Sequence, residues 1–355
     1  MAFTRFDTDD FVVSADSISA TLWSGGTPSL STFFTSSTQA AGSSGLYYLN
    51  VYQDTVTSDG AEIQFAIAYG NSAGSGSGNY NSGVDGKSPT STIYGQYQNL
   101  VLGDENTDFV FGNITSSEFF ALPVERARYK EKLFLGSTSL SLKNGANRIT
   151  LTDDSAYVSS VRFNEAGRVF QLISGSQGVK TSTPKDGDGN GWTVASGSYG
   201  WLLPDIGTIL LNPLALTASV ADGGLALAFS GSGYDGGLSY DTSTNANSTV
   251  YKAISSSALN PNAAPFFLNS EETITSDFIF VRPRSSAYNY SENPSFISGS
   301  TGEIIFDSFI NNPQTFITTV GLYNDTNELL AVAKLSRPLV KDFTKEALIR
   351  VKLDF

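Results

Sequence analysis

AEIQFAIAY, residues 61–69, sets Ile63, Phe65 and Ile67 on one side of an extended backbone and Glu62, Gln64 and Ala66 on the other. A period of two is the mark of a strand with one buried face. Just upstream, LYYLNVYQ at residues 46–53 is rich in the aromatic and branched side chains that strands favour. Thr57-Ser58-Asp59-Gly60 between them is a turn sequence, so the two stretches read as a hairpin. The pattern recurs. SSVRFNEAGRVFQLI at residues 159–173 folds back about residues 164–167, residues 201–211 form another strand region, and residues 316–323 and 329–335 flank Asn324-Asp325-Thr326-Asn327. The last stretch alternates again, with Ile349, Val351, Leu353 and Phe355 opposite Arg350, Lys352 and Asp354. The chain is therefore expected to be mainly β, in two or three β-rich, sandwich-like modules.

One short helix interrupts this, near residues 88–102. Ser88 suits its cap, Pro89 its first turn and Gly103 its stop, and Ile93, Tyr97, Leu100 and Val101 make its apolar stripe. GNSAGSGSGNYNSGVDG at residues 70–86 is too polar and glycine-rich to bury apolar surface and reads as a loop. Residues 221–265 are again rich in Gly, Ser and Asn. The expected organisation is an acidic β module or arm over residues 1–86, a helix-plus-β module over 87–220, a loop-rich connection over 221–265 and a C-terminal β module over 266–355. No periodic repeat is visible, which argues against propellers and solenoids.

Composition narrows the chemistry. The 355 residues include no histidine and no cysteine. Histidine is the side chain that titrates near neutrality, and cysteine is the strongest protein nucleophile and the usual soft ligand. A Ser-His-Asp triad, a Cys-His dyad, the common zinc sites and disulfides all fall away. The expectation is a non-enzymatic protein without cofactors. A net charge of −13 argues against nucleic acid and against anionic membrane surfaces. The first residues, MAFTRFDTDD, show no targeting pattern, and the most apolar stretch, residues 206–229, is broken by Asn212, Pro213, Asp222, Gly223 and Gly224, so no membrane insertion is expected.

Charge is uneven. Residues 1–85 hold a single basic residue, Arg5, whereas the C-terminal stretch carries Lys334, Arg337, Lys341, Lys345, Arg350 and Lys352. An acidic head and a basic tail suit head-to-tail joining of copies or neighbours, and equally suit plain solvation. Glu125–Leu133, ERARYKEKL, is a basic island. As a strand it would align Arg126, Arg128, Lys130 and Lys132 for an acidic partner, or for carboxylates within the chain.

Three motifs carry less. Gly231-Ser-Gly233-Tyr-Asp-Gly236 matches a dinucleotide pattern, but LSYDTSTNANS follows it and is no helix, so the match is rejected. Asp186, Asp188 and Asn190 begin like a calcium loop, yet Gly197 stands where the bidentate Glu belongs; a turn before Trp192 is the preferred reading. The pairs Asp153-Asp154 and Glu271-Glu272 are adjacent in sequence, a poor arrangement for two-carboxylate hydrolysis.

Two regions resemble virion structural proteins of contractile-tailed phages that infect cyanobacteria. Residues 92–136 do so through TIYGQYQNLVLG, DFVFGN and ERARYKEKLFLG. Residues 280–355 do so through FVRPRSSAYNYSENPSF, FITTVGLYNDTNELLAVAKLSRPLVKDF and ALIRVKLDF. The resemblance implies a building block of the particle, most naturally in the tail or its baseplate, assembled in the host cytoplasm, with other tail proteins or further copies of itself as partners. It brings no catalytic residues. The residues expected at contacts are Arg126, Arg128, Lys130, Lys132, Ile349, Val351, Leu353 and Phe355. Neck, collar or fibre attachment are alternative stations. A carbohydrate-binding protein using Trp192, Tyr199 and Trp201 is an alternative of another class, and a carboxylate hydrolase is a third.

Overall fold

The structure, a computed structural model, describes residues 5–35, 48–74, 89–181, 194–228, 246–258, 265–290 and 293–354. The fold is mainly β, and it separates into two compact units, one made of Ile18–Glu272 and the other of Met1–Ser17 together with Thr273–Phe355.

The larger unit is built on one extensive sheet. Its main path runs Ser29–Leu30, Phe266–Phe267, Ser139–Asn144, Asn147–Asp153, Gly167–Ser176, Gly200–Leu203, Thr208–Leu211, Glu118–Pro123, Ile63–Asn71, Tyr48–Tyr52 and Phe34–Thr35. Neighbouring strands pair antiparallel along this path. The first hairpin of the sequence is there: Val51 faces Phe65 and Leu49 faces Ile67.

The central strands are apolar throughout because both faces are covered, which is why EFFALP, GWLL and TILL do not alternate. Phe120, Leu122, Leu202, Ile209 and Leu211 point into one core, which also takes Val250, Ala253 and Ile254 of the helix Ala246–Ser257. Phe119, Ala121, Trp201, Leu203 and Leu210 point into the other, against Tyr94 and Val101 of the helix Pro89–Leu102. Each fully buried Leu or Phe contributes roughly 2–3 kcal/mol of transfer free energy.

The helix expected near residues 88–102 is therefore present, with two corrections to its detail. Leu100 is exposed and Tyr94 takes its place in the buried stripe, stacked 5.5 Å from Phe119. Gly103 stops it with φ +70°, its N–H donating to the Asn99 carbonyl. It is not the only helix. Ala246–Ser257 lies in a stretch read as loop, and Pro213–Thr217 and Asp307–Asn311 are short helical turns. Val250, Ala253 and Ile254 supply the i, i+3, i+4 stripe that stabilises Ala246–Ser257, amid serines and asparagines that signal a loop.

The smaller unit packs two layers. One is a sheet in the order Phe11–Thr21, Asn269–Val281, Ile349–Asp354, of which residues 11–17, 273–281 and 349–354 belong to this unit. The last two are antiparallel, with Ile279 opposite Val351 and Val281 opposite Ile349. The other layer is the hairpin of Thr315–Tyr323 and Leu329–Lys341. Its turn is held by the Asn324 side chain, which accepts from the Glu328 and Thr326 backbone N–H groups at 2.8 and 3.1 Å. The core between the layers comprises Ile279, Leu322, Ile349 and Val351, flanked by Ile317, Val320, Ala331, Ala333, Leu335 and Leu339. At the base of the hairpin Lys341 is fully buried. Its ammonium donates to the Ser285 carbonyl (2.9 Å), Asn289 Oδ1 (3.0 Å) and the Asp342 carbonyl (3.0 Å), using all three protons.

Candidate functional site

The basic island does not form a strand. Arg126–Arg128 is a 3-10 turn, closed by the Arg128 N–H on the Glu125 carbonyl at 2.8 Å, and within the island Lys132–Leu133 alone pairs as a strand, with Ser270 and Glu271. The four basic groups consequently point in different directions, and each meets a partner inside the chain. Arg128 Nη1 donates to Glu62 Oε2 at 2.6 Å and to Ser24 Oγ at 2.5 Å. Arg126 donates to the Tyr129 carbonyl at 2.5 Å, its guanidinium 4.6 Å from the centre of the Tyr129 ring. Lys130 pairs with Glu272 at 2.6 Å, and Lys132 lies 3.6 Å from Glu131 and 4.0 Å from Glu271. Glu271 and Glu272 thus serve as counter-charges.

The C-terminal strand is divided by its own alternation. Ile349 and Val351 are buried beneath the hairpin, and Leu353 packs against the same core. Those side chains pack within the chain; Phe355 lies outside the described residues. Outward go Arg350 and Lys352, over the Phe278 ring at 5.4 and 5.9 Å. Among the described residues this strand pairs only with Asn269–Val281, so its other backbone edge is open.

Two exposed surfaces escaped the sequence reading. The strand Phe11–Thr21, at the opposite edge of the same sheet, leaves Phe11, Val12 and Val13 44–58% exposed. The hairpin's outer face carries Phe316, Leu330 and Val332, 58–68% exposed. A signal for the first was present in FVVSADSISAT, eleven residues without Pro, Gly or Lys. For the second it was the apolar run LLAVA at residues 329–333.

Among the described residues the buried carboxylates are Glu118, Asp153 and Asp154. Asp153 is fully buried and accepts from the Gly136 N–H at 3.1 Å and from Ser155, while Asp154 accepts from the Gln171 N–H at 2.9 Å. Burial, reinforced by the neighbouring Asp153 carboxylate, pushes Asp154 up to about 6. Glu118 is likewise raised by burial, and the Tyr69 hydroxyl donates to its Oε2 at 2.5 Å. Asp205 is pushed up by burial, but its bonds to the Arg168 guanidinium and N–H outweigh that and hold it below the ordinary value. No group of three or more acidic residues fit to hold a metal ion occurs among the described residues; Asp186, Asp188 and Asn190 lie outside them. Tyr199 and Trp201 are buried in the two cores, so neither ring is placed to stack on a sugar, and Trp192 is outside the described residues. No helix among the described residues is long and apolar enough to cross a membrane.

Comparison with family models, with curated proteins and with solved structures found no match to this chain.

Proposed function

We propose that this chain is a structural component of a contractile phage tail, in or near the baseplate, and that it works by repeated protein–protein contact. The observation that carries the reading is the smaller unit's surface. A two-layer unit with a modest core leaves Phe316, Leu330 and Val332 facing solvent on one layer and, among the described residues, both sheet edges without a further strand on the other. Long unprotected edges and exposed apolar side chains invite association, and proteins that work alone blunt them. The more specific of the two resemblances to cyanophage virion proteins, residues 280–355, falls on the same unit. Strand addition at an edge draws its affinity from backbone hydrogen bonds and asks for no special side-chain chemistry, in keeping with a chain without histidine or cysteine.

The test is to follow the chain into particles. Leu330→Asp with Val332→Asp should leave the fold intact and remove the chain from purified tails. Full incorporation of that variant, or absence of the wild-type chain from tails, refutes the reading. Density for the chain at the neck, collar or fibre base would move the station and keep the class of function.

A further inference from the structure

Among the described residues, the strands Phe11–Thr21 and Ile349–Asp354 each have one edge without a neighbouring strand, the first flanked by carboxylates and the second net positive. On one side, the N-terminal segment presents Asp7, Asp9 and Asp16 to solvent, with Asp10 3.4 Å from Arg282. On the other, the strand Ile349–Asp354 presents Arg350, Lys352 and Asp354, the last two 2.8 Å apart, which leaves the strand net positive; Lys345, just before it, lies 3.3 Å from Asp342. We propose that the sheet continues between molecules, the strand Ile349–Asp354 of one copy pairing along the strand Phe11–Thr21 of a second copy.

Charge decides which edges meet. Pairing two C-terminal strands antiparallel about Lys352 sets that lysine against its like, though Arg350 then meets Asp354, and pairing two N-terminal strands sets Asp16 against its like; like charges across strands are unfavourable. The mixed pairing is the one that brings a net-positive edge against an acidic one, so the edges' own side chains favour it over the symmetric alternatives. The backbone supports it too. Phe11–Thr21 has no proline to remove a donor and no glycine to weaken the extended state, and its exposed Phe11, Val12 and Val13 provide apolar surface to cover. Because the two surfaces differ, each copy keeps one free edge after pairing. The contact is head-to-tail and yields a ring if the rotation closes, or a filament if it does not. This deepens the tail reading by naming a second copy as partner, but it stands on the sheet edges alone.

The experiment uses the purified full chain in sedimentation velocity over a range of concentrations at low salt. Wild type should associate, and the association should weaken as salt shortens the Debye length. Arg350→Glu with Lys352→Glu should weaken it about tenfold or more, as should Asp9→Lys with Asp16→Lys. An equimolar mixture of the two double variants should recover it, since each supplies the charge the other lacks, and recovery also shows that both variants fold. A wild-type chain that stays monomeric, variants that associate as wild type does, or a mixture no better than its components would overturn the inference. Leu330→Asp with Val332→Asp should not affect this association. Association in solution without incorporation into tails would sink the tail reading alone, and incorporation of a strictly monomeric chain would sink this inference alone.

Discussion

Asp154→Asn should make the larger unit more stable, by an amount that grows as pH rises from the ordinary carboxylate value to about 6 and is constant above it. Asp154 is 5% exposed, beside the fully buried Asp153, and burial pushes it from an ordinary 3.8 up to about 6. The native state therefore keeps this proton up to about pH 6, whereas the unfolded chain releases it near 3.8. Between those values the native state binds more protons, so this group's contribution to stability falls as pH rises and is flat above the window. A displacement of about 2 units corresponds to roughly 3 kcal/mol at about 1.4 kcal/mol per unit, an upper bound if the carboxylate can relax toward water. Asparagine keeps an oxygen for the Gln171 N–H and carries no charge. Urea unfolding should be followed by tryptophan fluorescence, since Trp23, Trp192 and Trp201 all fall within residues 18–272 and report on that unit. The gap between variant and wild type should be near zero at pH 4 and reach roughly 2–3 kcal/mol at pH 8. A gap independent of pH, or a wild type that gains on the variant as pH rises, would refute the account of this site.

Asp205→Asn should show the opposite trend: the carboxyl is held low by Arg168, so wild type should lead at neutral pH and its lead should vanish on acidification through the native value, read by the same unfolding series. Lys341→Met should destabilise the smaller unit by about 2–4 kcal/mol by stranding the Asn289 and Ser285 oxygens, and hydrogen exchange should report the loss there while the larger unit keeps its protection. Gly200→Ala should cost at least about 2 kcal/mol, because φ is +147° and an added Cβ would fall on the Leu210 carbonyl oxygen; an unchanged urea midpoint would contradict this.

The strands were legible where one face is buried and the other wet. Residues 61–69 and 349–354 showed themselves by period alone. The two-sided burial of EFFALP, GWLL and TILL removes that period, and with it any cue that the strands adjoin in a single sheet. The helix Ala246–Ser257 was hidden because its stability comes from Val250, Ala253 and Ile254 meeting the sheet rather than from its serine-rich composition. Joining the N-terminal strand to the C-terminal unit is a contact between the two ends of the chain, which no local pattern records. For the candidate site, the charges of Arg350 and Lys352 could be read from the sequence, but their position on an open edge could not. At Arg126 and Arg128 the period of two predicted a shared face, and the 3-10 turn dispersed it, giving each guanidinium a partner close by.

The most direct measurement is a density map of tail particles assembled with the wild-type chain and with Leu330→Asp/Val332→Asp. The wild-type map should show this chain in repeated copies, with the face bearing Phe316, Leu330 and Val332 covered by a neighbouring subunit, and the variant map should lack it. A map in which that face remains open to solvent, or in which the variant occupies every position, would contradict the central claim.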